Sequence, residues 1–130
     1  MKGKMVLAGG VFNVIHPGHC HFLRNARKLG TELVVVVASD RTVQKSGKKA
    51  FPAAARAAMV GSLSFVSRAV VGKEGGMEGM IRRERPDIIA VGYDQDIEGI
   101  RAAAKRAGVK CRLVRIGQLP GYSTRGLRGT

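Results

Sequence analysis

The sequence predicts one α/β domain over residues 1–130, built on a doubly wound sheet of about five parallel strands. Short apolar runs rich in β-branched residues, such as residues 34–37, have the length of strands buried on both faces. Segments with apolar residues at helical spacing separate these runs, and glycine or proline ends most of them. Because neighbouring parallel strands need helical crossovers, this alternation favours a doubly wound sheet.

The elements follow in a regular order. We predict strands over residues 4–7, 33–38, 67–71, 87–91 and 110–116. We predict helices over residues 19–29, 52–63, 77–84 and 97–107. The first predicted helix ends at Gly30 and the last at Gly108. Ligands of such folds bind beyond the carboxyl ends of the strands, near the point where strand order reverses. The loops after the strands are therefore the candidate binding segments, at residues 9–17, 40–51, 72–76, 92–96 and 117–123.

The net charge of +14 calls for an anionic partner. Basic residues are spread along the chain and aromatics make up only 5%, which favours phosphorylated small molecules over nucleic acid. No apolar stretch approaches the ~18 residues of a membrane span, so we expect no membrane association and a cytoplasmic protein. Cys20 and Cys111 have no CxxC partner, and we expect two small buried hydrophobes.

The most informative loop runs from Gly9 to His19, between a predicted strand and a predicted helix. Gly9, Gly10 and Gly18 allow the backbone to approach phosphates, and the helix start offers free N–H groups. His16 and His19 can both face an anion there and donate hydrogen bonds to a phosphoryl group that gathers charge. The alternatives are helix capping by two histidines, or a zinc site that lacks a third ligand, because His21 points elsewhere.

Two segments carry a family resemblance. Gly10-Val11-Phe12-Asn13 with His16-Pro17-Gly18-His19 resembles the GTFDxxHxGH signature of cytidylyltransferase-like nucleotidyltransferases, and residues 121–125 resemble their GISTT-type segment. The resemblance implies a Rossmann-like fold and transfer of a nucleoside monophosphate from ATP or CTP to a phosphorylated acceptor, with release of pyrophosphate. It implies that His16 and His19 stabilise the α-phosphate, and that Ser123 and Thr124 hold the β- and γ-phosphates.

The resemblance also implies further contacts. Lys45 is our first choice for a catalytic lysine, before Lys48 and Lys49, and three arginines are candidates for acceptor or phosphate contact: Arg56, Arg115 and Arg125. The implied nucleotide-binding set is Gly9, Gly10, Val11, Phe12, Asn13, Gly18, Gly92, Tyr93, Asp94, Tyr122, Ser123 and Thr124. Asn13 replaces the family aspartate and Val11 its threonine, so we predict no protein-built metal site. Mg²⁺ or another divalent cation is expected to arrive with the triphosphate.

Residues 87–95, DIIAVGYDQ, resemble the archaeal FAD synthases, which transfer AMP from ATP to FMN. On this basis Gly92 admits the base and Asp94 reads its edge. We therefore expect ATP and FMN as partners, and the resemblance allows a homodimer. The alternatives are a CTP:glycerol-3-phosphate cytidylyltransferase or another small nucleotidyltransferase, a degenerate nucleotide binder, and a basic nucleic-acid module.

Overall fold

The computed structural model describes residues 3–73 and 76–118. Within them, strands and helices alternate as predicted, with one additional short helix. The elements are β1 (Met5–Gly10), α1 (Pro17–Lys28), β2 (Glu32–Val37), α2 (Asp40–Lys45), α3 (Ala53–Gly61), β3 (Arg68–Val71), α4 (Gly76–Glu84), β4 (Ile88–Val91), α5 (Ile97–Ala107) and β5 (Arg112–Arg115).

The strands form one parallel sheet in the order β3-β2-β1-β4-β5. β1 lies in the middle, with Leu7 in register with Val34 of β2 on one side and with Ile89 of β4 on the other. The chain moves outward from β1 to β3, then returns to place β4 against the free edge of β1. The predicted doubly wound sheet is therefore confirmed, and strand order reverses between β1 and β4.

Alternation of side chains along the strands divides the core into two clusters. Val6 and Ala8 of β1 face Leu23 of α1 and Val60 of α3, whereas Leu7 faces the cluster formed with α4 and α5. Both faces of the sheet are thus covered by helices, which explains why β2 is apolar at every position after its first. Burying each such valine or leucine stabilises the fold by about 1.5–3 kcal/mol.

Helix α2 lies within the segment that the sequence predicts as a loop over residues 40–51. Ser39 caps it, since its side chain accepts a hydrogen bond from the Thr42 N–H at 3.1 Å, and Asp40 stands in the first turn. Six residues span less than two turns, which is too short for an apolar period to appear in the sequence.

The ends of α1 also differ from the prediction. His16 is the N-cap, so the helix begins at Pro17 rather than at His19, and its C-cap is Leu29 rather than Gly30. A Cβ at Gly30 would stand 2.6 Å from the Lys4 carbonyl oxygen. Gly30 is therefore required by close packing against the start of β1. Gly108 does end α5 in the left-handed conformation, with φ of 71°.

The helices of the described residues are all too short or too polar to cross a membrane. Tyr122, Ser123, Thr124 and Arg125, with the second predicted signature, lie outside the described residues. Cys111 is partly buried and packs against the cluster around Leu7, as expected of a small hydrophobe, and burial raises the pKa of its thiol. Cys20, in α1, is likewise partly buried.

Candidate active site

A cleft of about 700 Å³ lies where strand order reverses. It is formed by the loop after β1, the start of α1, the segment after α2, the loop after β4 and the residues after β5. Of the residues predicted from the sequence, those lining the cleft are Gly9, Gly10, Val11, Phe12, Asn13, His16, Gly18, His19, Gly92, Tyr93 and Asp94. Residues distant in sequence therefore meet beyond the carboxyl ends of the strands, where ligands bind in this class of fold.

The loop after β1 has a strained turn at Phe12. Phe12 has a positive φ of 52° and is 5% exposed, which leaves its side chain folded back under the loop. A Cβ at Gly10 would lie 2.9 Å from the Phe12 ring. Glycine at position 10 therefore permits the ring to pack, and the ring in turn contacts His19 edge-on at 5.5 Å between centroids.

The two histidines are fixed by the backbone at the start of α1. His16 Nδ1 accepts a hydrogen bond from the Gly18 N–H at 3.0 Å, and His19 Nδ1 accepts one from the His16 N–H at 3.3 Å. An accepting Nδ1 places the proton of a neutral imidazole on Nε2. His16 Nε2 is buried and, among the residues that the structure describes, has no hydrogen-bond partner.

Burial keeps both imidazoles neutral. Desolvation lowers the pKa of His16, and it lowers the pKa of His19 from 6.5 to about 4 with help from the neighbouring His16. A hydrogen bond to the Val14 backbone and the charge of Asp94 oppose this shift at His19. The pair can therefore donate N–H groups to an anion at neutral pH without itself being charged.

Asn13 connects two walls of the cleft. Its Oδ1 accepts a hydrogen bond from the Phe51 N–H at 2.7 Å, which ties the loop after β1 to the segment that follows α2. This bond occupies one of the two lone pairs of the oxygen that could face a cation. Across residues 3–73 and 76–118, no group of three His, Cys, Asp or Glu side chains is placed to hold a metal ion.

Arg56 supports the cleft from behind. Its side chain is fully buried and donates to the carbonyls of Val11 at 2.9 Å and Phe51 at 2.7 Å, and to Asp40 at 3.3 Å. It does not line the cleft. Arg56 was predicted as a candidate for substrate contact, but the structure places it as a brace that holds the segments after β1, β2 and α2 together.

The three lysines between β2 and α3 divide into two groups. Lys48 and Lys49 line the cleft, whereas Lys45, the first choice from the sequence, is the last residue of α2 and does not line it. Helix α2 was not predicted, and within it Val43 rather than Lys45 lines the cleft. A role for Lys45 stays a prediction.

Gln95 is a site residue that the sequence analysis did not select. Its Nε2 donates to the Gly9 carbonyl at 2.9 Å, and its Oε1 accepts from the Gly92 N–H at 2.8 Å. One side chain thus joins the ends of β1 and β4. The available signal was its place in the GYDQ segment. Other unselected residues that line the cleft are Phe22, Val43, Ser46, Ala50, Ile116, Gly117 and Gln118.

Arg115, another predicted phosphate contact, does not line the cleft. Its guanidinium donates instead to backbone carbonyls of the loop after β4, the shortest bond being 2.8 Å to Gly92. The loop that carries Asp94 is thus held by Arg115 on one side and by Gln95 on the other.

The chain is similar in sequence to several archaeal proteins. It is 45% identical to the FAD synthase of Aciduliprofundum boonei over 128 residues, which cover 96% of this chain and 84% of that protein. It is 41% identical to the FAD synthase of Thermoplasma volcanium over 119 residues, which cover 89% of this chain and 84% of that protein.

Two solved structures are similar in fold. A lipopolysaccharide core biosynthesis protein from Thermoplasma volcanium superposes with a TM-score of 0.85 at 40% identity, over 91% of this chain and 99% of that one. Pantoate-beta-alanine ligase from Francisella tularensis gives 0.66 at 11% identity, over 94% of this chain and 64% of that one, which shows a shared fold alone.

The sequence resemblance is thereby confirmed. The model of the family described as cytidylyltransferase-like matches residues 7–130, which takes in both the histidine loop and the chain's last segment. The chain belongs to the cytidylyltransferase-like family of nucleotidyltransferases.

Proposed function

We propose that this protein transfers the AMP group of ATP to FMN and so forms FAD. A phosphate oxygen of FMN attacks the α-phosphorus of ATP, the bond from that phosphorus to the β-phosphate bridging oxygen breaks, and pyrophosphate leaves. The observation that carries the proposal is the buried Nε2–H of His16 in the wall of the cleft, a donor that has no partner within residues 3–73 and 76–118. Leaving such a group unpaired costs about 1–3 kcal/mol, a cost that a phosphate oxygen removes when it binds.

The ends of β1 and α1 supply the electrostatic part of catalysis. Gly9 and Gly10 let the backbone approach the triphosphate, and the start of α1 directs its positive dipole end at the same space. Negative charge grows on the phosphoryl oxygens as the leaving group departs, so donors fixed in advance stabilise the transition state. Because no covalent bond to the protein is needed, neutral histidines suffice.

A second, smaller cavity supports an acceptor site beside the triphosphate. It measures about 260 Å³ and shares Gly9, Gly10 and Val11 with the main cleft. Direct transfer requires two substrates to meet at one phosphorus atom, and a shared wall provides that arrangement. Met77 and Met80 make its floor apolar and polarisable, and Lys73 at its edge supplies a cation for a phosphate.

The rim of the site favours an acceptor with an aromatic ring over glycerol 3-phosphate. The exposed large apolar side chains of the described segments are Val11, Val14, Phe51 and Tyr93. All of them belong to loops that form the cleft or, for Phe51, bond directly to Asn13 within it. Exposed apolar side chains on the loops of a phosphate site are suited to the flavin ring, and glycerol 3-phosphate would leave them uncovered.

The remaining residues receive roles as part of the same proposal. Asp94 reads the adenine edge, Lys48 and Lys49 offset the negative charge of the two substrates, and Ser123 and Thr124 hold the outer phosphates. A divalent cation such as Mg²⁺ accompanies ATP and offsets the charge of its phosphates. The names of the archaeal relatives support FMN as acceptor. A cytoplasmic location is part of the same proposal, and a homodimer stays a prediction.

A two-by-two panel tests the proposal. Pyrophosphate release and FAD formation are followed with ATP or CTP against FMN or glycerol 3-phosphate, with magnesium and then with cobalt or manganese. We expect turnover with ATP and FMN alone, and its loss in His16→Ala. Turnover with CTP and glycerol 3-phosphate would contradict the assigned substrates while keeping the reaction class. Nucleotide binding without any turnover would identify a binder that has lost catalysis.

A further inference from the structure

One guanidinium nitrogen donates hydrogen bonds to three carbonyl oxygens of the loop that follows β4. Nη1 of Arg115 donates to the carbonyl oxygens of Gly92 at 2.8 Å, Tyr93 at 3.0 Å and Gln95 at 3.2 Å. Arg115 is the last residue of β5, in register with Val91 at the end of β4. A cation that attracts three carbonyls of one turn fixes the orientation of the peptide planes between them.

The orientation of these planes decides which backbone groups remain available to a ligand. The described residues contain no cis peptide bond, so each N–H points opposite to the carbonyl of its own peptide unit. Since the carbonyls of Gly92 and Tyr93 face Arg115, the N–H groups of Tyr93 and Asp94 point away from it. Gln95 holds the other end of the same turn against Gly9.

Asp94 completes a polar pattern on this loop. Asp94 lines the cleft, and its carboxylate is an acceptor on the same loop as the N–H groups of Tyr93 and Asp94. Adenine presents an amino donor next to a ring-nitrogen acceptor, whereas guanine presents the reverse at the same two positions. A site that pairs correctly with one base therefore leaves groups unpaired against the other, which is the strongest source of polar selectivity.

We propose that Arg115 is a positioning residue that determines nucleobase selectivity, a role which rests on the proposed use of ATP. It acts through the carbonyls of Gly92, Tyr93 and Gln95 and does not contact the phosphates. Two observations separate this role from the phosphate contact predicted from the sequence: Nη1 is committed to the three carbonyls, and Arg115 does not line the cleft.

The test is direct binding without FMN, measured by calorimetry with three probes: ATP, GTP and inorganic tripolyphosphate. Arg115→Met keeps the length of the side chain and removes the donors. We expect ATP to bind about tenfold more weakly, GTP to change by less than about threefold, and tripolyphosphate to bind as before. Arg115→Lys keeps the charge but not the planar group, so the loss of ATP affinity should be intermediate.

Arg112→Met is the matched control, because Arg112 is an exposed arginine of the same strand and lies outside the cleft. It should leave all three affinities unchanged. Equal weakening of ATP and tripolyphosphate in Arg115→Met would establish a phosphate contact and overturn the proposal, as would unaltered ATP affinity. Thermal unfolding checks that each variant is folded. If Arg115→Met does not fold, the affinities of Arg115→Lys for ATP, GTP and tripolyphosphate test the proposal in its place.

Steady-state kinetics separate this proposal from the proposed function. With FMN present, Arg115→Met should raise KM for ATP by about tenfold and leave kcat within about twofold. A wild-type protein that discriminates ATP from GTP through Arg115 but forms no FAD would retain the positioning role and contradict the FMN assignment. FAD formation by the wild-type protein, together with unchanged selectivity between ATP and GTP in Arg115→Met, would support the FMN assignment and contradict the positioning role.

Discussion

The imidazole rings of His16 and His19 are stacked, with their centroids 3.8 Å apart and their planes inclined by 28°. The stack follows from the capping arrangement at α1, in which each ring accepts a backbone N–H through Nδ1. The same arrangement leaves the Nε2 atoms as the donors. Helix capping, which the sequence left open as an alternative to a phosphate site, is thus observed in the two residues that we propose to contact phosphate.

Removing the His16 side chain should abolish most turnover without unfolding the protein. We expect His16→Ala to lower kcat by about a hundredfold or more, since its Nε2–H acts on charge that develops in the transition state. The measurement is pyrophosphate release at saturating ATP and FMN. His21→Ala is the control, because His21 lies on α1 outside the cleft and contacts Asn25. Equal losses in both variants would contradict a specific role for His16.

The neutral histidines should make the fold sensitive to mild acid. The pKa of His19 is about 4 in the folded protein against 6.5 ordinarily, so the unfolded chain binds its proton first as the pH falls. The free energy of unfolding should therefore decrease from about pH 6.5 towards pH 4. Denaturant unfolding between about pH 7 and pH 5 measures the decrease.

His19→Gln should weaken that dependence, and His16, whose pKa is also lowered by burial, should account for the part that remains. The window lies above the ordinary pKa of 4.5 for Glu78, whose pKa is lowered by Arg106 and then by Arg82, so loss of those ion pairs belongs to more acidic solutions. An unchanged slope in His19→Gln would show that His19 does not protonate on unfolding in this range.

The central elements were predictable because their signals are local. Four consecutive valines in β2 can only be buried on both faces, and the glycine and histidine loop follows a strand directly. The valine run led to the sheet, the glycine and histidine loop to the lining residues between Gly9 and His19, and the resemblance of residues 87–95 to Gly92, Tyr93 and Asp94. Helix α2 was missed because six residues carry no readable period, and this displaced Lys45 from the place expected for it.

Contacts between segments far apart in sequence could not be predicted. Arg56 and Val11 are 45 residues apart, and Gln95 and Gly9 are 86 apart. The sequence around an arginine or a glutamine does not indicate whether its side chain contacts a ligand or a carbonyl that is distant in sequence. The resemblance favoured substrate contact for both arginines, whereas the structure gives Arg56 two backbone carbonyls and Asp40 as partners, and gives Arg115 three backbone carbonyls.

Arg56→Met should destabilise the fold. Its loss leaves carbonyls of Val11 and Phe51 without their donor and removes a cation from a fully buried position, which we expect to cost about 2–4 kcal/mol in the free energy of unfolding. Denaturant unfolding measures this. Arg101→Ala, which breaks an exposed pair with Glu98, should change it by no more than about 0.5 kcal/mol. A fully stable Arg56→Met with lost ATP binding would favour direct substrate contact.

The three lysines after β2 can be ranked by experiment. Lys48 and Lys49 line the cleft, so alanine at either position should raise KM for ATP or FMN by about three- to tenfold. Lys45→Ala should have the smallest effect of the three, because Lys45 ends α2 outside the cleft. Steady-state kinetics with each substrate varied in turn provide the ranking. The largest loss in Lys45→Ala would support the choice made from the sequence.

Gln95→Glu should keep one of the two hydrogen bonds made by the Gln95 side chain and remove the other. A carboxylate can still accept from the Gly92 N–H but cannot donate to the Gly9 carbonyl, so it replaces an attraction at the end of β1 with a repulsion. We expect ATP affinity to fall by about tenfold, through loss of the fixed distance between the two glycine loops. Gln44→Glu introduces the same charge on exposed α2, away from the cleft. Equal losses in both variants would assign the effect to the lower net charge of the protein, whereas a loss confined to Gln95→Glu would assign it to the contacts of position 95.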